Sequence, residues 1–115
     1  MARALATTNK EKGVIMSIYR GYRYQEAGSL VVTRDGASLS PTPSQKLWNH
    51  SPDGFQWGYG GSGPAQLALA LLLDATGDSE LSVRQHQHFK REFVARWGEK
   101  WEITTDEINK WLERR

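Results

Sequence analysis

Residues 58 to 63 read Gly-Tyr-Gly-Gly-Ser-Gly, and Pro64 and a run of alanines and leucines follow. Glycines let backbone N–H groups converge on one point, and a helix N-terminus adds the positive end of its dipole, so such a loop can accept an anion. The letters fit G-x-G-x-x-G. The dinucleotide-binding reading of that pattern also needs a second parallel strand after the helix, with an acid near its end, whereas residues 81–97 read as helix. No Gly-Lys-Ser or Gly-Lys-Thr follows, so the loop is not a P-loop either. The other reading is a tight turn into a helix, in which glycines merely allow close packing, and the sequence leaves both open. Gly60 precedes Ser62 by two residues, but Pro64 stands where a nucleophile elbow needs its trailing glycine, so a turn or capping role is expected for Ser62.

Around this loop the candidate ligand-binding set is Gly58, Tyr59, Gly60, Gly61, Ser62, Gly63, Trp57, Arg20, Arg23 and His50. Trp57 and Tyr59 flank the loop, as core wedges or as the wall of a pocket. The segment Tyr19-Arg20-Gly21-Tyr22-Arg23-Tyr24 interleaves arginines with aromatics. A strand of that kind can stack bases and hold phosphates, or it can be an ordinary strand whose arginines lie over tyrosines. Arg20 or Arg23 is the expected charged partner of an anion at the loop. His50, beside a Pro-Asp turn, is the acid–base candidate near the glycines. His86 and His88 are two apart on a helix and point about 200° from each other, so they cannot share an ion. His86 is expected in the core, and no catalytic residue, metal site or cofactor is assigned.

These residues need elements to position them. Residues 14–24 are rich in β-branched and aromatic types and read as a strand, with Gly21 marking a bulge or a close backbone approach. Residues 29–33 are a second strand. Asp35-Gly36 is the favoured hairpin turn into a short third strand at 37–40. Residues 44–49 suggest a short helical turn. Ser51-Pro52-Asp53-Gly54 has the order of a type I turn, and the alternation of Phe55, Trp57 and Tyr59 predicts a further strand. Pro64 suits the first position of a helix running to Thr76. Leucines all round its axis predict burial on most sides, including Leu71, and Gly77 stops it. Asp78 or Ser79 caps the next helix, to about Trp97, with His86, Phe89, Phe93 and Trp97 on one face. Thr104 and Glu107 form a capping box for a last helix, with Ile103 and Ile108 as its staple. Trp97, Trp101 and Trp111 are expected as core of the C-terminal helices. Strands followed by helices predict an α+β fold, a small antiparallel sheet of three to four strands packed against about three helices. The expected organisation is a disordered tail at 1–13 and a single domain at 14–115.

Composition narrows the functional classes. The chain has 115 residues, 38% hydrophobic and 24% charged, enough for one core. It holds five tryptophans and no cysteine, which excludes disulfide and thiolate chemistry. The 15 basic residues against 13 acidic ones permit a nucleic-acid or phosphate partner without demanding one. The longest apolar run, 68–73, is too short for the roughly 18 residues of a membrane span, and the N-terminus lacks a signal core. A cytoplasmic protein without a membrane partner is expected.

The stretch Phe55-Gln56-Trp57-Gly58-Tyr59-Gly60-Gly61-Ser62-Gly63-Pro64-Ala65-Gln66-Leu67-Ala68-Leu69-Ala70-Leu71-Leu72 resembles a family of short uncharacterised proteins, a domain of unknown function common in phages, prophages and other mobile elements. The resemblance takes in Tyr19-Arg20-Gly21 and Phe89-Lys90, and so covers roughly 16–111. Residues 1–15 lie outside it, and Met16 stands as an alternative start. The resemblance implies an accessory gene and brings no activity with it. Small phage accessory proteins often act by binding and inhibiting a host or defence component. The first expectation is therefore a non-enzymatic binding protein of counter-defence type, whose partner is a host or defence protein or an anionic nucleotide-like ligand. The alternative is a nucleotide-, phosphate- or nucleic-acid-binding module built on the glycine loop.

Overall fold

A computed structural model describes residues 16–24 and 29–115. The expected tail at 1–13 and the first residues of the first predicted strand lie outside these. Strand β1 spans Ile18–Tyr24 and β2 Ser29–Arg34. Asp35 and Gly36 take φ of 51° and 88°, the left-handed pair that a tight hairpin demands. They return the chain into β3, Ala37–Ser38. Helix α1 follows at Thr42–Leu47. The turn at 51–54 closes with the Gly54 amide donating to the Ser51 carbonyl at 3.2 Å.

Helix α2, Ser62–Thr76, is the centre of the molecule. It begins two residues before Pro64, which is tolerated because first-turn amides have no partner inside the helix. Residues 63–72 are all buried, Leu71 with 0% exposure. Gly77, at φ 69°, caps it with its amide on the Leu73 carbonyl. Helix α3, Ser79–Glu92, is capped by Asp78, whose carboxylate accepts from the Leu81 amide. It ends earlier than its periodicity suggests, because Phe93 leaves helical geometry and a 3₁₀ turn covers Val94–Arg96. Helix α4, Thr105–Glu113, carries the full capping box of Thr104 and Glu107, and Ile103 and Ile108 are both buried.

Two expectations are corrected. Residues 55–59 form no strand. Gly58 sits at φ 89° and donates its amide to the Val94 carbonyl at 3.0 Å, so the segment is tied to the 3₁₀ turn and not to a ladder. The alternating types there do not alternate in burial, since Trp57 is buried and Tyr59, on the same phase, is exposed. The fourth strand is instead β4, Lys100–Thr104, with Trp101 and Ile103 inward and Lys100 and Glu102 outward. Trp101 therefore belongs to the sheet.

The sheet is antiparallel in the order β3-β2-β1-β4. Its inner residues Tyr19, Val32, Trp101 and Ile103 share one core with Leu67, Leu71, Leu72, Phe89, Ile108 and Trp111 from the helices. The fold is α+β, a four-stranded sheet with helices on one face in a single globule. Among the described residues no helix is long and apolar enough to cross a membrane.

Candidate binding surface before helix α2

The segments preceding α2 are held by one side chain. Gln66 has 0% exposure in an otherwise alanine- and leucine-rich helix. Its Oε1 accepts from the His50 and Ser51 amides at 2.7 and 3.0 Å. Its Nε2 donates to the Ser44 hydroxyl at 2.9 Å and the Trp48 carbonyl at 3.2 Å. All four hydrogen-bonding positions of the amide are filled, so the loop after α1 is fastened to the second turn of α2.

That fastening brings Trp48, His50 and His86 together. The Trp48 ring stacks on His50 with centroids 4.5 Å apart, and its edge meets His86 at 5.4 Å. The two imidazoles meet Nε2 to Nε2 at 2.9 Å. His86 Nδ1 lies 2.7 Å from the Val83 carbonyl, which can only accept, so Nδ1 carries the proton. His86 Nε2 is then the acceptor and His50 Nε2 the donor, a tautomer assignment that follows from the hydrogen bonds. Burial, then the charges of His86 and Lys90, hold His50 below the usual imidazole range. Burial also lowers His86, against the opposing effect of its backbone bonds at Val83 and Ser82. Both rings are thus neutral at neutral pH. No group of three or more metal-ligating side chains occurs among the described residues.

The glycine loop is part packing and part open. A Cβ on Gly63 would meet Gln56 Cβ at 2.5 Å, so this glycine is a close-packing residue. A Cβ on Gly61, the N-cap of α2, would meet the Tyr59 ring at 2.6 Å. A Cβ on Gly60 would meet nothing within 4 Å among the described residues outside its chain neighbours, and Tyr59 is 52% exposed. Ser62 is the first residue of α2 and is exposed.

The two arginines separate. Arg23 reaches the base of the loop, donating to the Trp57 carbonyl at 2.7 Å and to Glu99 at 3.2 Å, with its guanidinium 4.9 Å from the Trp57 ring centre. Trp57 is wholly buried and its indole N–H donates to the Gly98 carbonyl. Arg20 points to the opposite face of the sheet and pairs with Glu102 at 2.9 Å. The structure therefore joins Arg23 and Trp57 to the loop, joins His50 to Trp48 and His86, and sets Arg20 apart.

A cleft of about 850 Å³ lies at the other end of α2 and includes Tyr19, Arg34, Asp74, Thr105 and Asn109 in its lining. The Tyr19 hydroxyl donates to Asp74 at 2.7 Å, and Arg34 pairs with the same carboxylate at 3.1 Å. Burial, then the Asp74 carboxylate, push the Tyr19 hydroxyl well above its usual range. Sequence reasoning missed this group and Gln66. The available signal was the same for both, a lone polar residue inside the apolar run of α2.

No curated protein and no solved structure matches the chain. A family model does match, over residues 19–114, which takes in every element described above but for the first residue of β1. The chain belongs to the family of unknown function DUF6166.

Proposed function

We propose that this protein is a non-enzymatic binding protein of phage or mobile-element type, which acts in the host cytosol by stoichiometric contact with a host or defence protein. The observation that carries the reading is an exposed apolar pair, Leu47 and Trp48, at 39% and 49% exposure. Trp48 is fixed in place before any partner arrives. Its amide donates to the Ser44 carbonyl, its carbonyl accepts from Gln66 and its ring rests on His50. A pre-ordered indole loses little freedom on docking, and tryptophan is among the residues enriched at interface hot spots. The resemblance to short phage and prophage proteins supports an accessory, counter-defence role. The test is expression of the chain in hosts carrying defined defence systems, scored by plating of a sensitive phage. Restored plating is expected with the parent chain and lost with Trp48→Ala, while circular dichroism shows both folded. No change of plating in any host, or full activity of Trp48→Ala, would count against the proposal.

The second reading is a phosphate- or nucleotide-binding module at the glycine loop, favoured by the open space beside Gly60 and the exposed Tyr59 ring. Calorimetric titration with nucleoside triphosphates tests it. Heat is expected with the parent and not with Gly60→Val, which has room for its side chain and keeps the fold. Equal heat from both proteins, or none from either, discards the loop as a ligand site.

A further inference from the structure

The helices cover one face of the sheet and leave the other facing away from the core. On that outer face β1 presents Arg20, Tyr22 and Tyr24, and the register sets Lys100 of β4 directly beside Tyr22 and Glu102 beside Arg20. The Tyr22 and Tyr24 rings lie 6.5 Å apart with planes 28° from parallel, and Tyr24 is 54% exposed. Two tyrosines two residues apart on one strand set two near-parallel ring planes along the sheet. Lys100 is exposed beside it, and Arg20 gives only its Nε to Glu102 among the described contacts. The fixed charges at these five positions are two cations against one anion.

We infer that this outer face binds single-stranded nucleic acid, with Tyr22 and Tyr24 each stacking on one base and Lys100 and Arg20 holding the flanking phosphates. Stacking on aromatic platforms beside a cationic track is how sequence-tolerant single-strand binding is built. A duplex keeps its bases inside and offers this face only phosphates, so the geometry favours the single strand. Basic side chains alone would attract either form. The strand face is separate from the Leu47–Trp48 contact, which lies on the helical side, so the two proposals stand or fall independently.

Fluorescence anisotropy decides the matter, using labelled oligothymidylate and oligouridylate of about twelve nucleotides, within the span of one to three sites, and a duplex of equal length. Both single strands are expected to bind, with the duplex weaker by roughly tenfold or more, since stacking is the larger share of the interaction. Tyr22→Leu and Tyr24→Leu keep strand-compatible apolar side chains without an aromatic plane, and each should weaken binding about fivefold or more. The corresponding phenylalanine changes should leave it intact. Lys100→Gln should reduce the dependence of log affinity on log salt by about one. Trp48→Ala should bind like the parent. If a leucine variant loses its fold by circular dichroism, Tyr24→Phe against Tyr24→Ser at that exposed position carries the comparison. Failure to bind either single strand at low salt overturns the inference. So does equal affinity for the duplex, or indifference to loss of the aromatic planes.

Discussion

At the scale of single residues, the contact between His50 and His86 sets how the protein answers to pH. A proton added to the pair is accepted at His50 Nδ1, because that leaves the His50 Nε2–H···Nε2 His86 bond intact. A second proton must go to His86 Nε2, and two N–H groups would then face each other across 2.9 Å. Both folded values lie below the free value, so the unfolded chain binds protons that the folded chain refuses. The contribution of the pair is whole above the unfolded histidine value of about 6.5 and shrinks as pH falls below it. The midpoint of chemical denaturation should therefore fall as pH drops below about 6.5, and the fall should be smaller in His50→Gln. The local consequence is loosening of the loop that carries Trp48, because the His50 amide and ring are two of its fastenings. Equal slopes for parent and variant over that window would show that the carboxylates alone set the pH response.

At the scale of elements, the sequence was most readable where a local rule is strong. Asp35-Gly36 gave the hairpin, Thr104 with Glu107 gave the start of α4, and leucines around the whole axis of α2 gave its burial. Failure came where local pattern and long-range pairing disagree. Phe55-Gln56-Trp57-Gly58-Tyr59 alternates as a strand does, but Gly58 turns at positive φ and the segment pairs with no strand among the described residues. Lys100-Trp101-Glu102-Ile103-Thr104 alternates as well, and becomes a strand because β1 offers it an open edge. Period two is thus compatible with a strand, and only the partner makes it one. The candidate site was half legible for the same reason. Glycines at 58–63 announced an unusual turn, but their sequence does not distinguish Gly63, which packs on Gln56, from Gly60, which faces open space. The partnership of His50 with His86 could not be read at all, since it depends on Gln66 pulling a loop onto a helix.

At the scale of the whole molecule, the sheet joins two distant parts of the chain. β1 opens the described chain, and β4 returns after three helices to pair with it, setting Gly21 opposite Trp101. β1 runs unbroken from Ile18 to Tyr24, so Gly21 is there for a close approach and not for a bulge. A Cβ at Gly21 would fall 2.2 Å from the Trp101 indole. That ring cannot easily yield, because it stacks on Trp97 at 4.1 Å and meets Trp57 edge-on at 5.6 Å. Its buried N–H has no acceptor among the described residues, so its place is secured by packing alone. Gly21→Ala should then destabilise the protein by about 1–3 kcal/mol through overpacking. Trp101→Leu should also destabilise it, by about 2–4 kcal/mol, through the lost ring and the space left behind. The two changes should not add. With the indole gone, the new methyl at position 21 has room, and the double variant should recover about 1 kcal/mol or more of the summed loss. Urea denaturation of the four proteins measures this coupling. A strictly additive cycle would mean that Trp101 moves aside at little cost, and that the pairing of β1 with β4 does not depend on a glycine at this position.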